Sequence, residues 1–271
     1  MRTVTLLLTI IPFFSHLYAK EITTKCIAHR GNNKYHLENS ISSVKSAAAV
    51  ESDGVEIDVR HTKDGHAILM HDSTLSRVAK SRPGKTCPLE EKVKNLNIID
   101  IRTNCLLKNN ENIPLLIEAL ESISLSSIDW FIELKDSPNQ NTIEIINSYI
   151  PEFQSKKIIS FRRKILKKTK AFFKKIENMS SIELFKLYRF YWFHQKEFHA
   201  DVKFTKFNLK KLLNNKEKVK KAIWTIDGSK KLERALKLNV DYVTTNDPEL
   251  CLFLKGRINK ILRADNYLST I

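Results

Sequence analysis

Short apolar runs alternate with stretches of helical periodicity along most of this chain. Lys25 to Ala28, Val55 to Val59, Ala67 to Met70, Trp130 to Leu134, Lys157 to Ser160, Ala222 to Ile226 and Val240 to Thr244 predict strands. Between them, Ser40 to Val50, Leu115 to Ser124, Thr142 to Tyr149, Arg162 to Ile176, Leu209 to Val219 and Lys231 to Leu238 predict helices. Strands joined by helical crossovers imply a largely parallel sheet covered on both faces, so the class is α/β. Residues 178–205 carry mixed signals, with Ile182 to Tyr188 and Val202 to Thr205 readable either way.

Within that class a single (β/α)8 barrel is preferred to a doubly wound sheet. Unusual polar residues recur at or just after the C-terminal ends of several strands, where barrel enzymes build their sites. The length of 271 residues suits one barrel domain, and no repeat or Pro/Gly-rich linker divides it. With 42% hydrophobic and 28% charged residues, the chain is neither globally disordered nor a multi-span membrane protein.

The first nineteen residues stand apart: Arg2, an apolar run from Val4 to Phe14, a short polar stretch and Ala19 before Lys20. This is the order of a secretory signal peptide, and it predicts residues 1–19 as leader and 20–271 as the mature barrel domain. The expected location is therefore outside the cytoplasm, periplasmic or secreted; an uncleaved anchor is the alternative. Export permits disulfides. Cys87 and Cys105 flank a polar segment and are expected to bridge, whereas Cys26 and Cys251 sit among apolar neighbours and read as buried thiols.

Formal net charge is +16, which favours anionic partners. Ten lysines or arginines and no acid lie between Lys156 and Lys175. The stretch reads as a solvated helix face, with peripheral contact to an anionic membrane through residues 156–175 as its functional counterpart. No aromatic stacking pattern or recognised motif supports nucleic acid as a partner.

Four clusters carry candidate chemistry. His29-Arg30-Gly31 follows the first strand, with Glu38-Asn39-Ser40 opening the first helix; imidazole and guanidinium at a strand end suit proton transfer beside a phosphate. Asn39 or Ser40 could equally be a helix cap. Glu56 and Asp58 lie two apart on a strand and so share a face, where a divalent cation would relieve their repulsion. His71-Asp72 supplies a second imidazole after a second strand. Glu133 and Lys135 again share one strand face, a third oxygen ligand and a phosphate contact, or simply a structural ion pair.

Together these segments resemble the glycerophosphodiester phosphodiesterases, whose pattern runs from His-Arg-Gly through Glu-Asn, Glu-x-Asp and His-Asp to Glu-Leu-Lys. The resemblance continues in Ile113 to Glu118, Ile159-Ser160-Phe161, Trp224-Thr225-Ile226 and Val240 to Pro248, and is poor over residues 178–205. It implies a TIM-type barrel that hydrolyses glycerophosphodiesters, small-molecule substrates, to glycerol 3-phosphate and an alcohol. It also implies His29 and His71 as general acid and base, and one divalent cation, Mg²⁺ or Ca²⁺, on Glu56, Asp58 and Glu133. Arg30 and Lys135 would hold the phosphate, and Trp224 would form an aromatic wall or else a core packing residue. Leu37 stands where the family usually has proline, and Asn246 where it usually has aspartate. The rival readings are a lysophospholipase D or sphingomyelinase D-like phosphodiesterase and, from another class, a non-catalytic basic protein binding acidic polymers or membranes.

Overall fold

The computed structural model of this protein describes residues 21–176, 182–191, 197–215, 218–238 and 240–268; the predicted leader lies outside them. Its strands are β1 Lys25–Ala28, β2 Gly54–His61, β3 Ala67–Leu69, β4 Ala79–Ser81, β5 Cys105–Leu107 and β6 Asp129–Leu134. They continue as β7 Lys156–Ser160, β8 Ile182–Tyr188, β9 His199–Lys203, β10 Lys221–Trp224 and β11 Tyr242–Thr245. The helices are α1 Ile41–Ala49, α2 Ile98–Asn104, α3 Leu116–Ser122, α4 Gln140–Tyr149, α5 Arg163–Phe173, α6 Lys206–Leu213, α7 Ser229–Leu236 and α8 Pro248–Leu268.

Eight strands run parallel in the order β1-β11-β10-β9-β8-β7-β6-β2, and β1 pairs with β2 to close the ring. The expected (β/α)8 barrel is therefore present. The ambiguous Ile182 to Tyr188 is barrel strand β8, and Val202 to Thr205 divides between the end of strand β9 and the cap of α6. Period-two burial decides this: Ala200 and Val202 face the helices, and Asp201 between them faces the interior. Between β8 and β9 the described residues hold no helix.

The predicted helix at Leu209 begins earlier, at Lys206, because the Thr205 side chain accepts from the Asn208 amide and caps it. Among the described residues the periodicity missed α8 and, in the excursion between the second and third barrel strands, α2 and the paired strands β4 and β5. That excursion, which also carries β3, lies over a separate apolar cluster that includes Ile68, Leu75, Val93, Ile101 and Leu107.

β3 was expected as an ordinary strand of a parallel sheet. It pairs antiparallel with β2 instead, with Leu69 opposite Val59. That reversal carries the chain back down beside β2 and sets Met70 N–H on the Asp58 carbonyl at 2.9 Å.

Cys87 and Cys105 bridge as expected, but the reading of Cys26 and Cys251 as free thiols is corrected: they form a second disulfide, 225 residues apart in sequence. Barrel closure explains it, since the first strand and the last helix become neighbours and their apolar faces bury both sulfurs. The basic stretch 156–175 also divides. Lys157 points into the barrel onto Asp129 at 3.1 Å, and Lys156 is buried against the Asn147 carbonyl at 3.1 Å. Only the lysines and arginines of α5 and its flanks face solvent, opposite Ile165, Leu166 and Phe173.

Candidate active site

The cation-binding candidates follow from strand register. In β2, Val55, Ile57 and Val59 pack outward against the helices, so Glu56 and Asp58 must point inward. β2 lies between β1 and β6, so neither carboxylate sits on a sheet edge. Asp58 is the register partner of Glu133 on β6, with Glu56 one pleat below. One carboxylate oxygen from each of the three lies within 4.8 Å of the others.

The electrostatics of the trio are unbalanced. Burial, reinforced by Asp58 and Glu133, pushes the Glu56 carboxyl well above the usual carboxylate range. Burial and the Asp58 charge raise Glu133 to about 7. Burial also acts on Asp58, but Lys135 and Arg30 outweigh it and hold that carboxyl well below its ordinary value. Lys135 Nζ lies 2.8 Å from Asp58 and 2.7 Å from Glu133, and Arg30 Nε lies 3.2 Å from Asp58. Three buried carboxylates thus face two fixed cations. Hard oxygen donors with that residual negative charge fit a divalent cation such as Mg²⁺ or Ca²⁺.

The loop after β1 is shaped by left-handed backbone at Arg30, Gly31 and Asn39. A Cβ on Gly31 would sit 2.3 Å from Ser43 Oγ, so this turn closes only on glycine. Asn39 and Ser40 take separate jobs. Ser40 caps α1, whereas Asn39 Nδ2 donates to Asp58 Oδ2 at 2.9 Å and its Oδ1 accepts from the Asp58 amide at 3.0 Å. Glu38 bridges Arg30 and Arg77, and Arg77 continues to Asp72, the partner of His71. One hydrogen-bonded chain therefore links the two histidine loops.

His29 and His71 reach the same cavity with different partners. His29 Nδ1 lies 2.7 Å from Asn246 Oδ1, so the neutral ring donates there and leaves Nε2, 4.0 Å from Glu56, as the free nitrogen. Burial and the Arg30 charge lower His29 to about 4, against the opposing bond to Asn246. Asn246 is itself fixed by Asp227, which accepts from its Nδ2 at 2.8 Å and from its amide at 2.9 Å. His71 Nδ1 meets the Asp72 carboxylate at 2.7 Å, and burial lowers its proton affinity despite that partner.

Seven of the eight residues singled out by sequence, His29, Arg30, Glu56, His71, Glu133, Lys135 and Trp224, line one cavity at the C-terminal mouth of the barrel; Asp58 lies buried at its edge. Trp224 is a wall residue, edge-on to Phe161 at 5.6 Å. Sequence reasoning missed Asp201 and Arg189, which also line the cavity. Both lie in the segment of mixed signals, where the alternation of His199 to Lys203 was the available clue. Asp201 is fully buried, and burial followed by the Glu133 charge raises its carboxyl well above the ordinary value.

With this geometry in hand, the likenesses to known proteins are specific. The model of the "Glycerophosphoryl diester phosphodiesterase family" matches residues 29–250. A glycerophosphodiester phosphodiesterase of Caldanaerobacter subterraneus is 30% identical over 253 residues, covering 85% of this chain and 97% of that protein. A phosphodiesterase of Oleispira antarctica, solved with its product sn-glycerol-3-phosphate, superposes with a TM-score of 0.72 at 20% identity, covering 86% of this chain and 97% of that one. A glycerophosphodiester phosphodiesterase of Parabacteroides distasonis gives a TM-score of 0.68 at 21% identity, covering 88% and 100%. At these identities the two structures speak for the fold.

Proposed function

The chain belongs to the glycerophosphodiester phosphodiesterase family, and on that premise we propose that it hydrolyses glycerophosphodiesters to glycerol 3-phosphate and an alcohol, using one divalent cation and two histidines. It is a phosphodiesterase by family, and the observation that carries the finer reading is convergence. Glu56, Glu133, both imidazoles, Arg30 and Lys135 line one cavity, with Asp58 grouped beside the other two carboxylates, although they come from four separate strand ends.

Glu56, Asp58 and Glu133 would hold the cation, which would supply neutralisation of phosphate oxygens and stabilisation of charge developing at phosphorus. Arg30 and Lys135 orient the same phosphate. His29, whose Nδ1–H is tied to a neutral amide, presents Nε2 as the base that takes a proton from the nucleophile, the substrate's own glycerol 2-hydroxyl. His71, backed by the Asp72 carboxylate, delivers a proton to the leaving alkoxide. The cyclic phosphate that results is opened by water, with the two imidazoles exchanging roles.

The test is release of glycerol 3-phosphate from a panel of glycerophosphodiesters, with chelator and after re-addition of Mg²⁺ or Ca²⁺. Cation-dependent release is expected. Turnover of lysolipids but not of glycerophosphocholine would favour a lysophospholipase D-like enzyme; no turnover, with salt-sensitive binding of acidic polymers, would favour a binding protein.

Export is part of the proposal. Two disulfides suit an oxidising compartment, and among the described residues no helix is long and apolar enough to cross a membrane. Sequencing the mature N-terminus is expected to start near Lys20, and an intact leader on cytoplasmic protein would contradict it. Peripheral contact with anionic membranes would use the exposed cations of α5.

A further inference from the structure

A second groove opens beside the catalytic cavity and shares His71, Glu133, Lys135, Phe161 and Arg189 with it. Its outer wall is cationic: Arg60, Arg162 and Arg189. These cations are not equivalent. Arg60 donates to the His71 carbonyl at 3.0 Å and pairs with Asp136 at 3.3 Å, so its charge is answered within the fold. Lys135 is committed to Asp58 and Glu133.

Arg162 and Arg189 differ. Both are exposed, and among the described residues neither guanidinium meets a carboxylate. Their placement is architectural, because β7 and β8 are parallel neighbours with Ser160 opposite Lys186, and each arginine directly follows the end of one of these strands or lies two residues beyond it. Arg189 lies 5.4 Å from the centre of the Phe161 ring, whose other contact is Trp224. Phe161 and Arg189 thus line both spaces, while Arg162 lines the outer groove alone. The only carboxylate lining this groove among the described residues is Glu133, already held by Lys135.

We propose that Arg162 and Arg189 form a subsite for a second phosphate, carried on the leaving alcohol, so that the preferred substrates are glycerophosphodiesters with a phosphorylated head group. The inference rests on the hydrolytic reading above and names its substrate class. A phosphomonoester carries about −1.5 to −2 charges at neutral pH, which matches two guanidinium groups, whereas one carboxylate answers only one of them. Guanidinium forks also fit phosphate oxygens two at a time. A cationic head group such as choline would meet repulsion there.

The test has two arms, run at low ionic strength on wild type, Arg162→Gln, Arg189→Gln and the double variant. The first compares kcat/KM for glycerophosphoglycerol, glycerophosphocholine and glycerophosphoglycerol phosphate. The second measures binding of the first and last of these by calorimetry in chelator, where no turnover occurs. Wild type is expected to favour the phosphorylated diester over the neutral one by about 10-fold in both arms, as two exposed charge-assisted pairs allow, with salt eroding the preference. The double variant is expected to lose most of that ratio. Equal affinities in wild type, or a ratio unchanged in the double variant, would overturn the subsite. Retained binding preference with no cleavage of any diester would leave the subsite standing and refute the hydrolytic reading instead.

Discussion

Replacing Asn39 isolates the device that aims one proposed cation ligand. Asn39 is 3% exposed, adopts a left-handed backbone at φ +55°, and contacts Asp58 through both ends of its amide. Asn39→Gly keeps the backbone conformation accessible and removes only the side chain. One lost bond reaches a buried carboxylate and the other leaves the Asp58 amide without its acceptor, so the cost is about 3 kcal/mol. For a domain of this size that lowers Tm by roughly 6–12 °C. Asn39→Ala should lose about 1 kcal/mol more, because a Cβ is strained at positive φ. Freed from its clamp, Asp58 should bind the cation roughly 10- to 100-fold more weakly. Urea unfolding in chelator gives the first quantity and calorimetric Mg²⁺ titration the second. A loss below about 1 kcal/mol in both variants, with cation affinity unchanged, would refute the clamp.

Three further perturbations probe other parts of the account. In chelator, Glu133→Gln should gain stability relative to wild type as pH rises from 5 to 8. A carboxyl raised to about 7 in the fold contributes stability below its unfolded value that is lost as pH climbs through 7, a change of up to about 3 kcal/mol; a flat difference across that range of urea midpoints would contradict it. Removing the bridge that joins β1 to α8, as Cys26→Ser with Cys251→Ser, should cost about 2–5 kcal/mol of unfolding free energy, and an unchanged Tm would show that the bridge adds nothing. Gly31→Ala should lower Tm and turnover together, since the added Cβ meets Ser43 within 2.3 Å at a left-handed φ of 81°; wild-type values in both would show that the loop relaxes freely.

Much of this site was legible in sequence because barrels place chemistry at strand ends in period two. Glu56 and Asp58 had to share a face once Val55, Ile57 and Val59 were assigned to the other, and Glu133 with Lys135 obeyed the same rule. What remained hidden depends on tertiary closure. The Cys26–Cys251 bridge joins the two ends of the described chain, and nothing local to either cysteine announces it. The antiparallel course of β3 is set by its pairing with β2, not by its three apolar residues. Asp201 and Arg189 lie where charged and aromatic residues interrupt the apolar pattern, and only their neighbours' burial assigns them to the interior and the mouth. Asn246 was visible as a departure from the family pattern, but its role as the His29 partner required the meeting of the loops after β1 and β11.

Whether His29 and His71 act as a pair on the phosphodiester is read from the pH dependence of kcat/KM for wild type, His29→Ala and His71→Ala, with saturating Mg²⁺ or Ca²⁺. A bell-shaped profile is expected for wild type, with turnover down roughly 10²- to 10⁴-fold and one limb of the bell lost in each variant. A near wild-type rate in either variant would contradict the pairing.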